Sequence, residues 1–170
     1  MNLIIEIKPE NDLPPERKAA LDRMFESEFG HHSLVYDLPS WHTMGVLDGN
    51  LVGRVGILKR TILVGKELLQ VGGICGVVTA PELRGRGIAS ALLDESVAFV
   101  KNSLSLPFAL LTCRSKLEAF YQRLGWKTVI GPTVFTQPDG LRTCKGLTMV
   151  TELGSRVWPE GPIDLRGLPW

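Results

Sequence analysis

The sequence predicts a single mixed α/β domain, and three observations carry that prediction. The hydrophobic patterning runs β–α–β–β–β–α–β–α–β, an order in which helices cover a mixed sheet. The clearest helical period, Ile88 to Val100, starts directly after a glycine-rich loop that closes a β-branched run. A chain of 170 residues, 44% apolar and 22% charged, can bury one substantial core and is too apolar to be disordered. Residues 1–170 are therefore read as one domain, with 151–170 as a docked tail.

The elements follow in order. "LIIEIK" alternates like a first strand. Pro14 and Pro15 lead into "ERKAALDRMFESEF", which puts Leu21, Met24, Phe25 and Phe29 on one helical face and stops at Gly30. An irregular polar-aromatic loop, "HHSLVYDLPSWH", comes next. The stretch from Thr43 to Thr79 reads as successive strands, with turns at Asp48-Gly49-Asn50 and Val64-Gly65-Lys66. In the helix that begins at Ile88, Ile88, Ala91, Leu92 and Phe99 share a face, and Asp94 and Glu95 point elsewhere. "LPFALLTC" is a short strand of the buried kind. "SKLEAFYQRLGW" carries another helix, with Ser115 and Glu118 in a capping-box pattern and Gly125 at its left-handed end. "WKTVI" and "GLTMVTEL" are strands, with a weak pattern around Pro138-Asp139-Gly140 between them. The tail "VWPEGPIDLRGLPW" reads as extended chain pinned by apolar anchors.

Charge and composition exclude several classes of function. The 19 basic residues nearly balance the 18 acidic ones, so no bulk field draws the chain to nucleic acid or to an anionic membrane. No apolar run approaches the roughly 20 residues of a membrane span, and Glu6 and Lys8 interrupt what could pass for a signal segment. Three widely spaced cysteines, Cys75, Cys113 and Cys144, give neither a complete disulfide framework nor a zinc pattern. These features fit a cytoplasmic protein that holds no metal.

Basic charge is instead concentrated at Arg84-Gly85-Arg86-Gly87, where strand meets helix. The first N–H groups of a helix lack intrahelical partners, and the helix dipole adds partial positive charge there. Glycines let such a backbone approach an anion closely, so strand, loop and helix together can cradle a pyrophosphate. The Gly-Lys-Ser/Thr of a nucleotide-triphosphate loop is absent, and "GRGIAS" lacks the third glycine of a dinucleotide site. Taken alone, this junction is equally a glycine turn with solvated arginines. Tyr121 alone reads more readily as a core aromatic of an amphipathic helix than as a proton donor.

The neighbouring residues resolve both ambiguities. "VVTAPELRGRGIASALL" resembles motif A of the GNAT superfamily of acyl-CoA N-acyltransferases, through Arg84, Gly87 and Ala89, and "EAFYQRLGW" resembles its motif B. The likeness covers about Leu47 to Val129 and implies the GNAT fold, a mixed central sheet splayed around an acyl-CoA cleft. It implies that Val77, Val78 and Thr79 meet the pantetheine arm of acetyl-CoA. Arg84, Gly85, Arg86, Gly87, Ile88 and Ala89 would hold its pyrophosphate. Tyr121 would be the acid that protonates the leaving thiolate, and the Val78 N–H would polarise the carbonyl. Where relatives carry a glutamate base on the strand before motif A, this chain has Cys75, which reads first as a small buried hydrophobe and second as a catalytic thiolate partner of Tyr121; His31, His32, Asp37 and His42 are the other candidates. Within the superfamily the chain is most similar to aminoglycoside 2′-N-acetyltransferases, which also end in tryptophan. Its "WPEGPIDLRG" segment resembles nodulation N-acyltransferases. By that likeness the acceptor would meet Asp37, Cys75, Gly76, Thr112 and Trp170. Leu168-Pro169 replaces an acid of that family, and few carboxylates are on hand for a polycation: Asp37, Asp139, Glu160 and Asp164. The expected partner is thus a small-molecule amine, with no nucleic acid and no membrane, and a homodimer is compatible. A non-catalytic acyl-CoA-binding module and an enzyme of longer acyl chains are the alternatives.

Overall fold

A computed structural model describes residues 2–30 and 32–170. Strand β1 (Leu3–Pro9) turns Leu3 and Ile5 to the main core and leaves Ile4 exposed. Helix α1 (Pro15–Phe29) starts on a proline and ends at Gly30, at φ +60°, whose N–H reaches the Glu26 carbonyl at 2.8 Å. Of its four expected core residues only Leu21 is buried, in a small cluster with Leu13 and Met44. Phe25 and Phe29 face an open cavity instead, and for that reason they stay partly exposed.

Strands β2 (Trp41–Leu47), β3 (Asn50–Val64) and β4 (Glu67–Thr79) form an antiparallel meander. The first turn takes positive φ at both Asp48 (+50°) and Gly49 (+79°), the pattern that matches strand twist. Arg54 stands opposite Val78 and Gly56 opposite Cys75, so Val55 faces both Gly76 and Val77. This bulge sits at Gly76, with φ +54°.

Helix α2 (Ile88–Asn102) returns the chain to β5 (Phe108–Cys113), which runs parallel to β4 but pairs with it only at Gly72–Ala109 and Gly73–Leu110. Beyond Gly73 the two strands separate. The paired glycines mark that point because both sheet faces are crowded there. A Cβ on Gly72 would lie 2.5 Å from Val100 Cγ1, and one on Gly73 would lie 2.6 Å from Trp170 Cε2. The fully buried residues of α2 are Ile88, Leu92, Leu93, Ser96 and Val100, while Ala91 is half-buried and Phe99 packs half-buried against the same core. Ser96 turns inward because its hydroxyl bonds Thr43 Oγ1 and the Leu92 carbonyl, both at 2.7 Å.

Helix α3 (Glu118–Arg123) follows a 3₁₀ turn over Ser115–Leu117 and closes at Gly125, with φ +87°. The expected capping box does not form; Glu118 Oε1 instead accepts a bond from Thr128 Oγ1 at 2.5 Å. Strands β6 (Lys127–Thr128), β7 (Thr133–Gln137), β8 (Gly140–Thr143) and β9 (Leu147–Glu152) complete the body, and the tail contributes β10 (Ile163–Asp164). Pro138-Asp139 is therefore a hairpin tip between β7 and β8, and the tail is not purely irregular. Among the described residues ten strands make one curled sheet, in the order β6-β9-β5-β4-β3-β10-β7-β8, with β1 and β2 beyond β3. β10 lies antiparallel to β3 and parallel to β7. The curl brings β7 back to β9, where Thr133 and Thr148 hydroxyls meet at 2.7 Å in the interior. Two apolar clusters fill the sheet's faces: one under α2 and α3, the other around Phe108, Leu110, Phe135 and Trp170. No described helix is long and apolar enough to cross a membrane.

Candidate active site

The separation of β4 from β5 opens a cavity of about 800 Å³ between α1, the 32–39 segment, the parted strands and Tyr121 of α3. Its floor is Ile74, Cys75, Gly76 and Val77 of β4 and Leu111 and Thr112 of β5. β4 keeps its ladder with β3 on one edge, while its other edge past Gly73 has no β5 partner. Val77 is half-buried there, and Val78 and Thr79 are buried. Such a strand edge offers main-chain groups to an extended amide-bearing chain.

At the far end of that edge, a 3₁₀ turn over Pro81–Leu83 leads to Arg84, Gly85, Arg86 and Gly87, all exposed. Gly85 and Gly87 have φ +77° and +79°, and a Cβ on either would meet no atom within 4 Å. Gly87 is the N-cap of α2, and no side chain caps the helix. Ile88, 1% exposed, anchors the first turn beneath this open surface, with Ala89 half-buried beside it. The loop thus presents uncapped N–H groups, room and cationic charge, as a pyrophosphate requires. Arg84 is partly engaged: Nε donates to the Thr79 carbonyl at 3.2 Å and Nη2 pairs with Glu28, tying the loop to α1. Arg86 has no ion pair among the described residues.

Tyr121 is 5% exposed, packed edge-on to Phe120 and Trp126 with centroids 5.0 and 6.1 Å away, and it lines the cavity. Burial pushes its phenol above the ordinary value, so the group keeps its proton throughout the neutral range. Cys75 lies on the floor against Gly56, where an added Cβ would be 2.7 Å from Sγ. Desolvation pushes the Cys75 thiol up to about 11, against the pull of Arg54. A thiol held protonated at neutral pH does not fit the expected thiolate base, and Cys75 is better described as packing. Cys113, also on the wall, is pushed up to about 11 by burial and then by Glu118.

On the acceptor side, Asp37 pairs with Arg60 and accepts the Leu38 N–H at 3.0 Å, while its own N–H reaches the Pro169 carbonyl at 2.8 Å. Arg60 also donates to the Leu168 carbonyl and stacks 4.9 Å over the Trp170 ring. Trp170 Nε1 donates to the Leu110 carbonyl at 3.3 Å, at the place where β5 leaves β4. The tail, the 32–39 segment and the strand parting are therefore fastened together, and Asp37 and Trp170 share the cavity wall with Gly76 and Thr112.

The histidines differ sharply. His31 lies outside the described residues. His32 is exposed and lines the cavity; its Nδ1 is 2.9 Å from the Leu34 carbonyl, which only accepts, so the proton sits on Nδ1 and Nε2 keeps a lone pair. The Phe25 and Tyr36 rings hold it edge-on. His42 is 4% exposed, with Nε2 2.5 Å from Glu10 Oε2 and a buried, unpartnered Nδ1. Burial lowers its pKa, and the bond to Glu10 only partly opposes this. Sequence reasoning missed Arg54, a buried guanidinium on β3 that lines the same cavity, as do Glu10 and Asp22. Its only sequence signal is a charge inside an apolar strand run, "LVGRVGIL".

Known proteins match this arrangement. The acetyltransferase (GNAT) domain family matches residues 13–129, well over half of the chain. An aminoglycoside 2′-N-acetyltransferase of Mycolicibacterium fortuitum is 25% identical over 135 residues, 77% of this chain and 68% of that protein. Among solved structures, Escherichia coli ElaA superposes with a TM-score of 0.67 at 18% identity, covering 89% of this chain and 100% of that one. A GNAT family acetyltransferase from Brucella melitensis, in complex with acetyl-CoA, gives a TM-score of 0.62 at 16% identity over 94% of each chain. The likeness to both structures is one of fold, and with the family match it establishes that the chain belongs to the GNAT acetyltransferase family.

Proposed function

We propose that this protein transfers an acetyl group from acetyl-CoA to the primary amine of a small molecule. The observation that carries the proposal is the single groove formed by the open glycine-arginine loop, the unpaired edge of β4 and Tyr121. Arg84 to Ala89 hold the pyrophosphate through the first N–H groups of α2, and Val77 to Thr79 hold the pantetheine arm. Acetyl-CoA, when bound, supplies an acetyl group already activated as a thioester.

The chain's own residues then manage two protons and one developing charge. Tyr121 holds a proton at Oη for the departing sulfur, and the Val77 N–H, on the unpaired edge of β4, polarises the carbonyl in place of the expected Val78 N–H, which the register with Arg54 turns towards β3. His32 Nε2, whose lone pair is fixed by the bond from Nδ1 to Leu34, takes the proton from the attacking amine. The acids named for a polycationic sugar are largely engaged. Asp37 is held by Arg60, Asp139 by Arg142, and Asp164 Oδ1 by the Arg166 N–H. An acceptor with few positive charges suits the site better than an aminoglycoside.

Thiol release from acetyl-CoA against a panel of amines tests the reading. Tyr121→Phe should lower kcat about 10²-fold and leave acetyl-CoA affinity unchanged, and His32→Gln should act in the same direction. Unchanged turnover in Tyr121→Phe removes the acid role. The protonated thiol at the position of a strand base favours one second reading, an acyl-CoA-binding module. Tight acetyl-CoA binding with no turnover of any amine would select it.

A further inference from the structure

Arg54 is 4% exposed, and no carboxylate of the described residues lies within ion-pairing distance of its guanidinium. One bond is made to the protein, from Nη1 to the Leu21 carbonyl at 3.0 Å, and the cation stands 5.2 Å over the Phe25 ring. Nε is buried and has no partner. The nearest carboxylates act on it only from beyond ion-pairing distance: Glu10 is committed to His42 and Lys18, and Asp22, exposed on the same cavity wall, makes no ion pair with it. His42 and Cys75 are neutral neighbours, the first because burial lowers its pKa and the second because its thiol stays protonated. Buried charges are ordinarily paired, and a cation left without a counter-charge on a cavity wall needs an anion from outside.

The bulge sets how closely β4 approaches that cation. Gly76 is at φ +54°, and a Cβ there would lie 3.0 Å from Arg54 Nη2 and 3.2 Å from Phe25 Cδ2. Glycine therefore lets the β4 backbone pack directly against the guanidinium, and both residues line the cavity at the turn that leads to Val77. The remaining wall nearby is apolar, with Phe25, Leu34, Val35, Phe135 and Trp170.

We propose that Arg54 anchors a carboxylate of the acceptor, and that the acceptor class is an amino acid, or another amine bearing a carboxylate, with an apolar side chain. The proposal deepens the acetyltransferase reading and rests on it for the amine's role. A guanidinium binds a carboxylate through charge-assisted N–H bonds, and Nη2, unpaired and, unlike Nε, not enclosed, is the donor left on the side away from Leu21. One cation without helpers is a thin site for a phosphate dianion, which is why a carboxylate is preferred. An α-amine is two bonds from its carboxylate carbon, so fixing the acid beside the bulge also fixes the amine beside the thioester end of the groove.

The experiment measures kcat/KM by thiol release for the wild-type chain with L-phenylalanine, L-phenylalaninamide, phenethylamine and O-phosphoethanolamine, and with L-leucine and its amide. The acids should exceed their amides and the plain amine at least tenfold, mostly through KM, although the amides carry the more readily deprotonated amine. Arg54→Gln should erase this preference at unchanged acetyl-CoA affinity, and Arg54→Lys should retain part of it. Equal rates for acid and amide, a preference for the phosphate, or a preference that survives Arg54→Gln would each overturn the anchor. Should Arg54→Gln fail to fold, the wild-type ranking and Arg54→Lys decide. If no amine releases thiol, the catalytic reading fails, and calorimetric titration of L-phenylalanine tests the anchor alone. Binding to the wild type that is lost in Arg54→Lys or Arg54→Gln sustains it; no binding to the wild type overturns it.

Discussion

His42 is buried beside Glu10 and within reach of the Arg54 charge, and desolvation outweighs the carboxylate bond, so the ring titrates below its ordinary value in the folded chain. The folded state then binds fewer protons than the unfolded state as pH falls through about 6.5, the unperturbed value. The stability contributed by neutral His42 is complete above that pH and is lost progressively towards the folded pKa. Thermal unfolding should therefore show Tm falling between pH 7.5 and 5, with a shallower fall in His42→Gln. Parallel curves for the two proteins would show that other groups carry the acid sensitivity. Residues differ in how far the sequence reveals them. Tyr121 and the Arg84–Gly87 loop were legible because their neighbours in the chain complete the pattern. Arg54 was not, since its character comes from what fails to reach it across α1 and β4. For Cys75 the sequence offered a buried small hydrophobe or a thiolate base, and burial, which raises the thiol, favours the first.

At the scale of elements, the junction between β4 and α2 carries the strongest expectation. Gly87 caps the helix in the left-handed region at φ +79°, over open space. Gly87→Val adds backbone strain of about 1–2 kcal/mol and projects two methyl groups over the first N–H groups of α2. Acetyl-CoA affinity should fall at least tenfold while far-ultraviolet circular dichroism stays close to wild type. Gly154→Ala, at a position with ordinary φ and open surroundings, should change neither quantity. Affinity unmoved by Gly87→Val would place the pyrophosphate elsewhere. The helices themselves were readable from their 3.6-residue period, and α1 and α2 occur where expected. Their buried faces were less so. α1 looks partly onto a cavity, and α2 also buries Ser96, whose bond to Thr43, 53 residues away in sequence, local periodicity does not report.

For the whole molecule, strand content was readable and strand order was not. β10 has two residues, yet it joins β3 to β7, and the curl of the sheet depends on that bridge. No pattern two residues long distinguishes such a strand from extended tail. The separation of β4 and β5 was implied only by family resemblance, and its physical cause emerged from packing. Val100 presses on Gly72 from one face and Trp170 on Gly73 from the other. The seated indole has an optical consequence as well. Trp170 is the tryptophan on the cavity wall among the described residues, with Nε1 bonded to a carbonyl and a guanidinium over its ring. Trp41 packs on Phe99 and Trp158 on Phe108, away from the cavity. A ligand entering the cavity changes the polarity and the cation contact around one identified emitter. Intrinsic indole fluorescence should therefore shift or quench on addition of acceptor, and Trp170→Phe should remove most of the response, with Trp126, packed on Tyr121, keeping the remainder. The residue seated on the last paired position before the strands part thus doubles as a built-in dye, reporting occupancy in real time without label or turnover.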